Sequence, residues 1–183
     1  MPPSLRIAII GYGISGQLSH AYGILANDAF RIAAVCDLNP DNRERASNEH
    51  SCPVYTDYRE MIAAEQLDIV SIVTRSDTHA SIVCDCLAAG LHTVVTKPWA
   101  LNEQEAEMML SAEAASSGKI FPWIPMYWSP DYKAVSDLLA KKVIGEIFLI
   151  RRYHSDFRYR SDWQTETQFG GGYLLNWGMH IIQ

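Results

Sequence analysis

Much of what a chain of 183 residues could contain is missing from this one. Its longest apolar runs, such as 7–10 and 69–73, are strand-sized, so no segment is long enough to span a membrane. The N-terminus lacks the basic, apolar and small-residue succession of a secretory signal. Basic residues are outnumbered, 15 Lys plus Arg against 21 Asp plus Glu, for a formal charge of −6. That sign repels a phosphate backbone, and no basic block offsets it, so nucleic acid is not the expected partner. The four cysteines, Cys36, Cys52, Cys84 and Cys86, have no C-x-x-C spacing. They read as free thiols of a reducing cytoplasm rather than metal ligands. No repeat of solenoid period and no low-complexity segment is present. What remains, 48% apolar and 20% charged residues, is the composition of a globular protein able to bury its own core.

The first 120 residues or so alternate between two hydrophobic periods. Strands are expected at Leu5–Ile10, Arg31–Asp37, Val54–Tyr55, Ile69–Val73, Thr93–Thr96 and Ile120–Phe121. Helices are expected between them, at about Ser15–Asn27, Asp41–His50, Tyr58–Glu65, Thr78–Ala89 and from Asn102 to Ser117. Asp57 with Glu60 and Asn102 with Glu105 have the spacing of helix caps. Strand–helix alternation with short connections implies parallel strands and right-handed crossovers, hence a doubly wound α/β Rossmann sheet over residues 1–121. Beyond it the composition shifts: thirteen of the nineteen aromatic residues fall in 121–183. There a helix is expected at Asp131–Lys142, a strand at Glu146–Tyr153, and a helix from Tyr173 running uncapped to Gln183. Residues 122–183 are too few to close a core of their own, so their aromatics need a partner surface.

Gly11-Tyr12-Gly13-Ile14-Ser15-Gly16 is a G-x-G-x-x-G that follows a strand and opens a helix, the context in which the pattern signifies dinucleotide binding. Gly11 permits the tight turn, Gly13 lets backbone approach a pyrophosphate, and Gly16 allows close helix–strand packing. The helix N-terminus adds unpaired N–H groups and a positive dipole end. Asp37, 21 residues after Gly16, ends the second strand, where a carboxylate accepts ribose hydroxyls and repels a 2′-phosphate. NAD is thereby favoured over NADP, although Arg43 is close enough in sequence to meet a 2′-phosphate. Lys97-Pro98 closes the strand Thr93–Thr96 at the edge where such sheets bind ligands. Two readings stand for it: a lysine that polarises a substrate oxygen, or a surface turn. Asn176 and His180, spaced i, i+4, share a face of the last helix behind Gly170-Gly171-Gly172. His180 is either a general base for an alcohol proton or a histidine packed with Leu174, Trp177 and Ile181. His79 reads as a cap or crevice residue rather than a catalyst.

In this order the glycine loop, Asp37, Lys97-Pro98 and the Gly170-Gly171-Gly172…Asn176…His180 segment resemble the Gfo/Idh/MocA oxidoreductases over essentially the whole chain. The resemblance implies an N-terminal Rossmann domain followed by an α+β substrate domain built on a large, mostly antiparallel sheet, of which residues 122–183 are the truncated beginning. The chain is then expected to be a fragment of a longer one, or a naturally shortened product. The resemblance also implies NAD(P)-dependent oxidation or reduction of a secondary hydroxyl on a sugar, inositol or related polyol, by a homo-oligomer; the cysteine pattern adds that it is expected to be cytoplasmic and without a metal. Lys97 then takes the place of the catalytic lysine and His180 that of the acid/base histidine. Lys97 and Pro98 also border the cofactor, and Lys97, Asn176, His180 and Trp163 would meet substrate. The sequence departs from the family pattern at Thr96 for Glu, Asn176 for Asp, Gln164 for Arg and Gln183 for Asp. These departures leave nucleotide binding intact and bear on substrate class and rate. Two alternatives stay open: a dinucleotide-binding relative without catalysis, and an NAD-dependent glycoside hydrolase.

Overall fold

In the computed structural model, which describes residues 4–155, 157 and 159–182, the chain divides into two compact units, Met1–Pro122 and Trp123–Gln183. Gln183, one of the departures from the family pattern, lies outside the described residues. The first unit holds a six-stranded sheet made of β1 (Leu5–Ile10), β2 (Phe30–Cys36), β3 (Val54–Tyr55), β4 (Ile69–Ile72), β5 (His92–Thr96) and β6 (Ile120–Trp123), in the order β3-β2-β1-β4-β5-β6. The β1–β2, β1–β4, β2–β3 and β4–β5 ladders are parallel. Strand period explains the two-sided core. Ala8 and Ile10 of β1 enter one buried cluster with Val70, Ile72 and Val95, while Ile7 and Ile9 enter a second with Ile24, Ile32 and Val35. A strand apolar on both faces requires helices on both, and the crossover helices supply them. After β1 the chain turns one way into β2 and β3, then returns to lay β4, β5 and β6 on the other side. The order therefore reverses between β1 and β4, where ligands of such sheets bind at the strands' carboxyl ends.

A π-helical turn, Gly16–Ala21, runs into α1 (Tyr22–Leu25), followed by α2 (Pro40–His50), α3 (Tyr58–Ala64), α4 (His79–Ala88) and α5 (Glu103–Ala114). Asn39 caps α2 by accepting from Asp41 N–H at 2.9 Å, and Pro40 occupies the first turn, where its missing N–H costs nothing. At α5 the Asn102–Glu105 spacing acts in both directions: Asn102 Oδ1 accepts from Glu105 N–H, and Glu105 Oε2 accepts from Leu101 N–H. Asp57 caps α3 through Arg59 N–H. No described helix is long and apolar enough to cross a membrane.

Two expected elements differ. The first helix ends at Leu25 rather than Asn27, because the Asn27 side chain accepts from Ala29 N–H and turns the backbone. Its opening turn is π rather than α, and the buried positions Gly16, His20, Ala21 and Ile24 include two neighbours in sequence. The strand expected at Glu146–Tyr153 is absent. Ile147, Phe148, Leu149 and Ile150 are exposed there, and no described strand forms a ladder with them. A strand is stable only with its neighbours, so apolar pattern alone does not produce one. The second unit instead contains α6 (Pro130–Ala140), short 3-10 turns at Trp163–Thr165 and Thr167–Phe169, and α7 (Tyr173–Ile182).

His20 is buried against the sheet, its Nδ1 sharing a proton with Ser71 Oγ at 2.7 Å. Burial lowers its pKa to about 4 from the ordinary 6.5. The unfolded chain therefore binds a proton that the folded chain refuses, and stability falls as pH drops from about 6.5 to about 4. At about 1.4 kcal/mol per unit, the loss is roughly 3 kcal/mol. Urea denaturation across that window should show it, and His20→Asn should flatten the dependence. His79, also lowered by burial, contributes in the same direction and leaves a residual slope. A wild-type stability that stays level from pH 7 to pH 4.5 would exclude this account.

Candidate functional site

The three loop glycines do three different things. Gly11 has φ +92°, and a Cβ on it would stand 2.5 Å from the Val73 carbonyl oxygen, just past β4. A Cβ on Gly16 would meet the Gly11 carbonyl oxygen at 2.2 Å. Around Gly13 no atom beyond its own chain neighbours lies within 4 Å of an added Cβ. The loop is thus closed where it turns and open where a pyrophosphate would approach, so its residues fit a dinucleotide. Ile14 is 78% exposed and Ser15 makes no side-chain cap, which leaves the leading N–H groups of the helix uncapped by side chains.

Asp37 ties this loop to the end of β2. Its Oδ2 accepts from Tyr12 N–H at 2.6 Å and from Asn42 Nδ2 at 3.2 Å, and its Oδ1 accepts from Asn39 N–H at 2.8 Å. The carboxylate is held in orientation before any ligand arrives. Arg43 donates through Nη1 to the carbonyl oxygens of Asp37 and Leu38, so it braces the backbone beside the carboxylate. Tyr12, only 1% exposed, donates its phenol proton to Glu49 Oε2 at 2.7 Å and touches His50. Burial and the Glu49 carboxylate both raise the Tyr12 pKa. Glu49 and His50 therefore anchor the loop from the end of α2. The sequence contained one signal for them: a buried tyrosine needs an acceptor for its hydroxyl.

Lys97 is half-buried beyond β5, and the Lys97-Pro98 bond is cis. The buried ring of His79 lies 2.9 Å from the Pro98 carbonyl oxygen through Nδ1 and 3.1 Å from that of Thr74 through Nε2. Thr96, in the place of the family's glutamate, donates from Oγ1 to the Ile72 carbonyl at 3.2 Å.

In the second unit, Gly171 and Gly172 N–H donate to the carbonyl oxygens of Glu166 and Gln164, folding the segment before α7 back on itself. Gly172 has φ +116°, and a Cβ on Gly171 would lie 2.6 Å from Glu166 backbone atoms. The fold-back joins two of the family departures: the buried Asn176 donates from Nδ2 to Gln164 Oε1. Trp163, half-buried, begins the adjoining 3-10 turn, which Asp162 caps through Gln164 N–H. His180 packs edge-on against Trp177, with ring centroids 5.5 Å apart, and His154 stacks on the same indole at 4.3 Å. Asn176 and His180 are both on α7, and Gly11–Gly16, Asp37, Lys97 and Pro98 all belong to the first unit.

Comparison with known proteins gives the following. A family model described as "Oxidoreductase family, NAD-binding Rossmann fold" matches residues 5–122. The oxidoreductase YdgJ of Escherichia coli (strain K12), itself uncharacterized, is 25% identical over an alignment covering 100% of this chain and 53% of its own length. An inositol 2-dehydrogenase of Gluconacetobacter diazotrophicus is 26% identical over 89% of this chain and 49% of its own. The crystal structure of an NAD-binding protein from Listeria innocua matches with a TM-score of 0.89 at 27% identity, covering 97% of this chain and 52% of that one. The chain thus spans about half the length of the curated relatives it matches.

Proposed function

The chain belongs to the Gfo/Idh/MocA oxidoreductase family with its NAD-binding Rossmann fold, and on that premise we propose that it transfers a hydride between a secondary hydroxyl of a sugar, inositol or related polyol and a nicotinamide nucleotide, NAD in preference to NADP. The observation that carries this reading is the pairing of an open Gly13 cradle with an oriented Asp37 carboxylate. Gly11–Gly16 hold the pyrophosphate, Asp37 accepts the ribose hydroxyls, and Lys97 and Pro98 border the nicotinamide end. When bound, the nucleotide supplies the two-electron acceptor. His180 takes the substrate hydroxyl proton, Lys97 polarises the same oxygen, and Asn176 and Trp163 orient the substrate. Similarity to an inositol 2-dehydrogenase supports the polyol class. Residues 122–183 are, in this proposal, the beginning of the substrate domain. The free thiols accord with a reducing cytoplasm, and assembly as a homo-oligomer follows from the family resemblance.

The test is reduced-cofactor formation by the intact protein with a panel of inositols and sugars, alongside calorimetry of NAD and NADP. NAD should bind at least about tenfold more tightly than NADP, a difference of about 1.4 kcal/mol. Asp37→Ala should lose about that much for NAD and narrow the preference. Equal binding of the two nucleotides by wild type would remove the specificity argument. A second reading, binding without catalysis, is favoured by the Asn176–Gln164 amide pair standing where the family has ionisable groups. It expects NAD binding with no turnover of any polyol.

A further inference from the structure

His79 begins α4 at 1% exposure, and its two ring nitrogens address two different loops at the carboxyl edge of the sheet. Nδ1 lies 2.9 Å from the carbonyl oxygen of Pro98, which follows β5, and Nε2 lies 3.1 Å from that of Thr74, which follows β4. These strands are adjacent and parallel, with Ile72 level with Val95, so the ring bridges the loops that extend two neighbouring strands. A carbonyl oxygen brings no proton and a neutral imidazole carries a single N–H, so the ring donates to one of the two carbonyls, and the shorter contact assigns that proton to Nδ1 and the Pro98 oxygen. The Thr96 hydroxyl lies 3.4 Å from Nε2 and 3.2 Å from the Ile72 carbonyl oxygen. Burial lowers the His79 pKa, while both carbonyl bonds and the charges of Asp77 and Glu105 act against that shift. A buried polar ring surrounded by acceptors on two loops is a costly way to fill space. It makes sense if the loops must be held.

We propose that His79 is a positioning residue: its Nδ1–H bond to the Pro98 carbonyl fixes the turn that carries Lys97 and so sets the direction of the lysine side chain. This rests on the reading of Lys97 as the group that polarises the substrate oxygen. Asparagine and glutamine separate the two ring contacts. Asn places an amide N–H near the Nδ1 position and keeps the Pro98 bond, whereas Gln places one near the Nε2 position, toward Thr74, and loses the Pro98 bond.

The experiment compares His79→Ala, His79→Gln and His79→Asn in the intact protein by hydrogen exchange and by steady-state kinetics. In the Ala and Gln variants the amides of Lys97, Trp99 and Ala100 should exchange at least about tenfold faster, with α4 little changed; in Asn they should stay within about threefold of wild type. With a polyol substrate, kcat should fall about tenfold in Ala and Gln at nearly constant KM for NAD, and recover in Asn. Equal loss in Asn and Gln, or faster exchange spread evenly over the first unit, would overturn the proposal. If wild type turns over no polyol, the proposed function fails, while the Asn-against-Gln exchange pattern still decides the role of His79. Should the Ala variant not fold, that pair carries the test alone.

Discussion

Gly13→Val should leave thermal unfolding within about 2 °C of wild type and weaken NAD binding at least about tenfold, whereas Gly11→Ala should destabilise the fold itself. The contrast follows from what each added carbon would meet. At Gly13 the space around a new Cβ is empty for 4 Å beyond its own chain neighbours, so the protein alone does not register the change. The cost falls on the ligand, because the valine branches occupy the cradle through which backbone would approach a pyrophosphate. At Gly11 the Cβ would collide at 2.5 Å with the carbonyl oxygen of Val73, just past β4, and φ +92° is already strained for any residue with a Cβ. Backbone strain of roughly 1–2 kcal/mol and overpacking of roughly 1–3 kcal/mol together approach or exceed 3 kcal/mol. Gly16→Ala should be no milder, since its Cβ would lie 2.2 Å from the Gly11 carbonyl oxygen. Urea denaturation and NAD calorimetry on the three variants separate the effects. A Gly13→Val protein that binds NAD like wild type would mean that the loop is only a turn.

Lys97→Ala and His180→Ala should each lower turnover by roughly 10²–10⁴ while NAD binding stays within about threefold. A general base contributes about that range, and loss of a positioned cation beside a developing negative charge costs a comparable amount. In the proposed function the free energy of nucleotide binding comes mainly from the glycine loop and Asp37, so calorimetry should hardly distinguish these variants from wild type. Stopped-flow absorbance at saturating NAD reads the step directly. If either variant turns over at the wild-type rate, its assigned role is wrong. If both bind NAD poorly, the apparent catalytic effect is a binding effect.

The parts of the fold that could be read from residues alone are those fixed by local pattern. Strand–helix alternation with short connections implied a doubly wound parallel sheet, and the structure has that sheet. The glycine spacing foretold a tight turn at Gly11 and close packing at Gly16 because each depends on a handful of neighbouring atoms. What escaped depends on residues distant in sequence. The link from Tyr12 to Glu49 and His50 spans more than thirty positions, and the bond from His79 to Pro98 forms only once β4 and β5 lie side by side. The strand expected at Glu146–Tyr153 failed for the complementary reason, since its pattern says nothing about whether a neighbouring strand is there to pair with it. Asn176 and Gln164 were each visible as departures from the family pattern. Their mutual contact was not, because it needs the chain to fold back through Gly171 and Gly172.

That amide pair has a bearing on how substrate affinity responds to solution conditions. Neither side chain gains or loses a proton, and the bond between them carries no net charge for salt to screen. The contribution of Asn176 to holding a polyol should therefore stay the same across the pH and ionic-strength range in which the protein stays folded, so that a change of substrate affinity with acidity arises at the ionisable groups that meet the substrate and not at this pair.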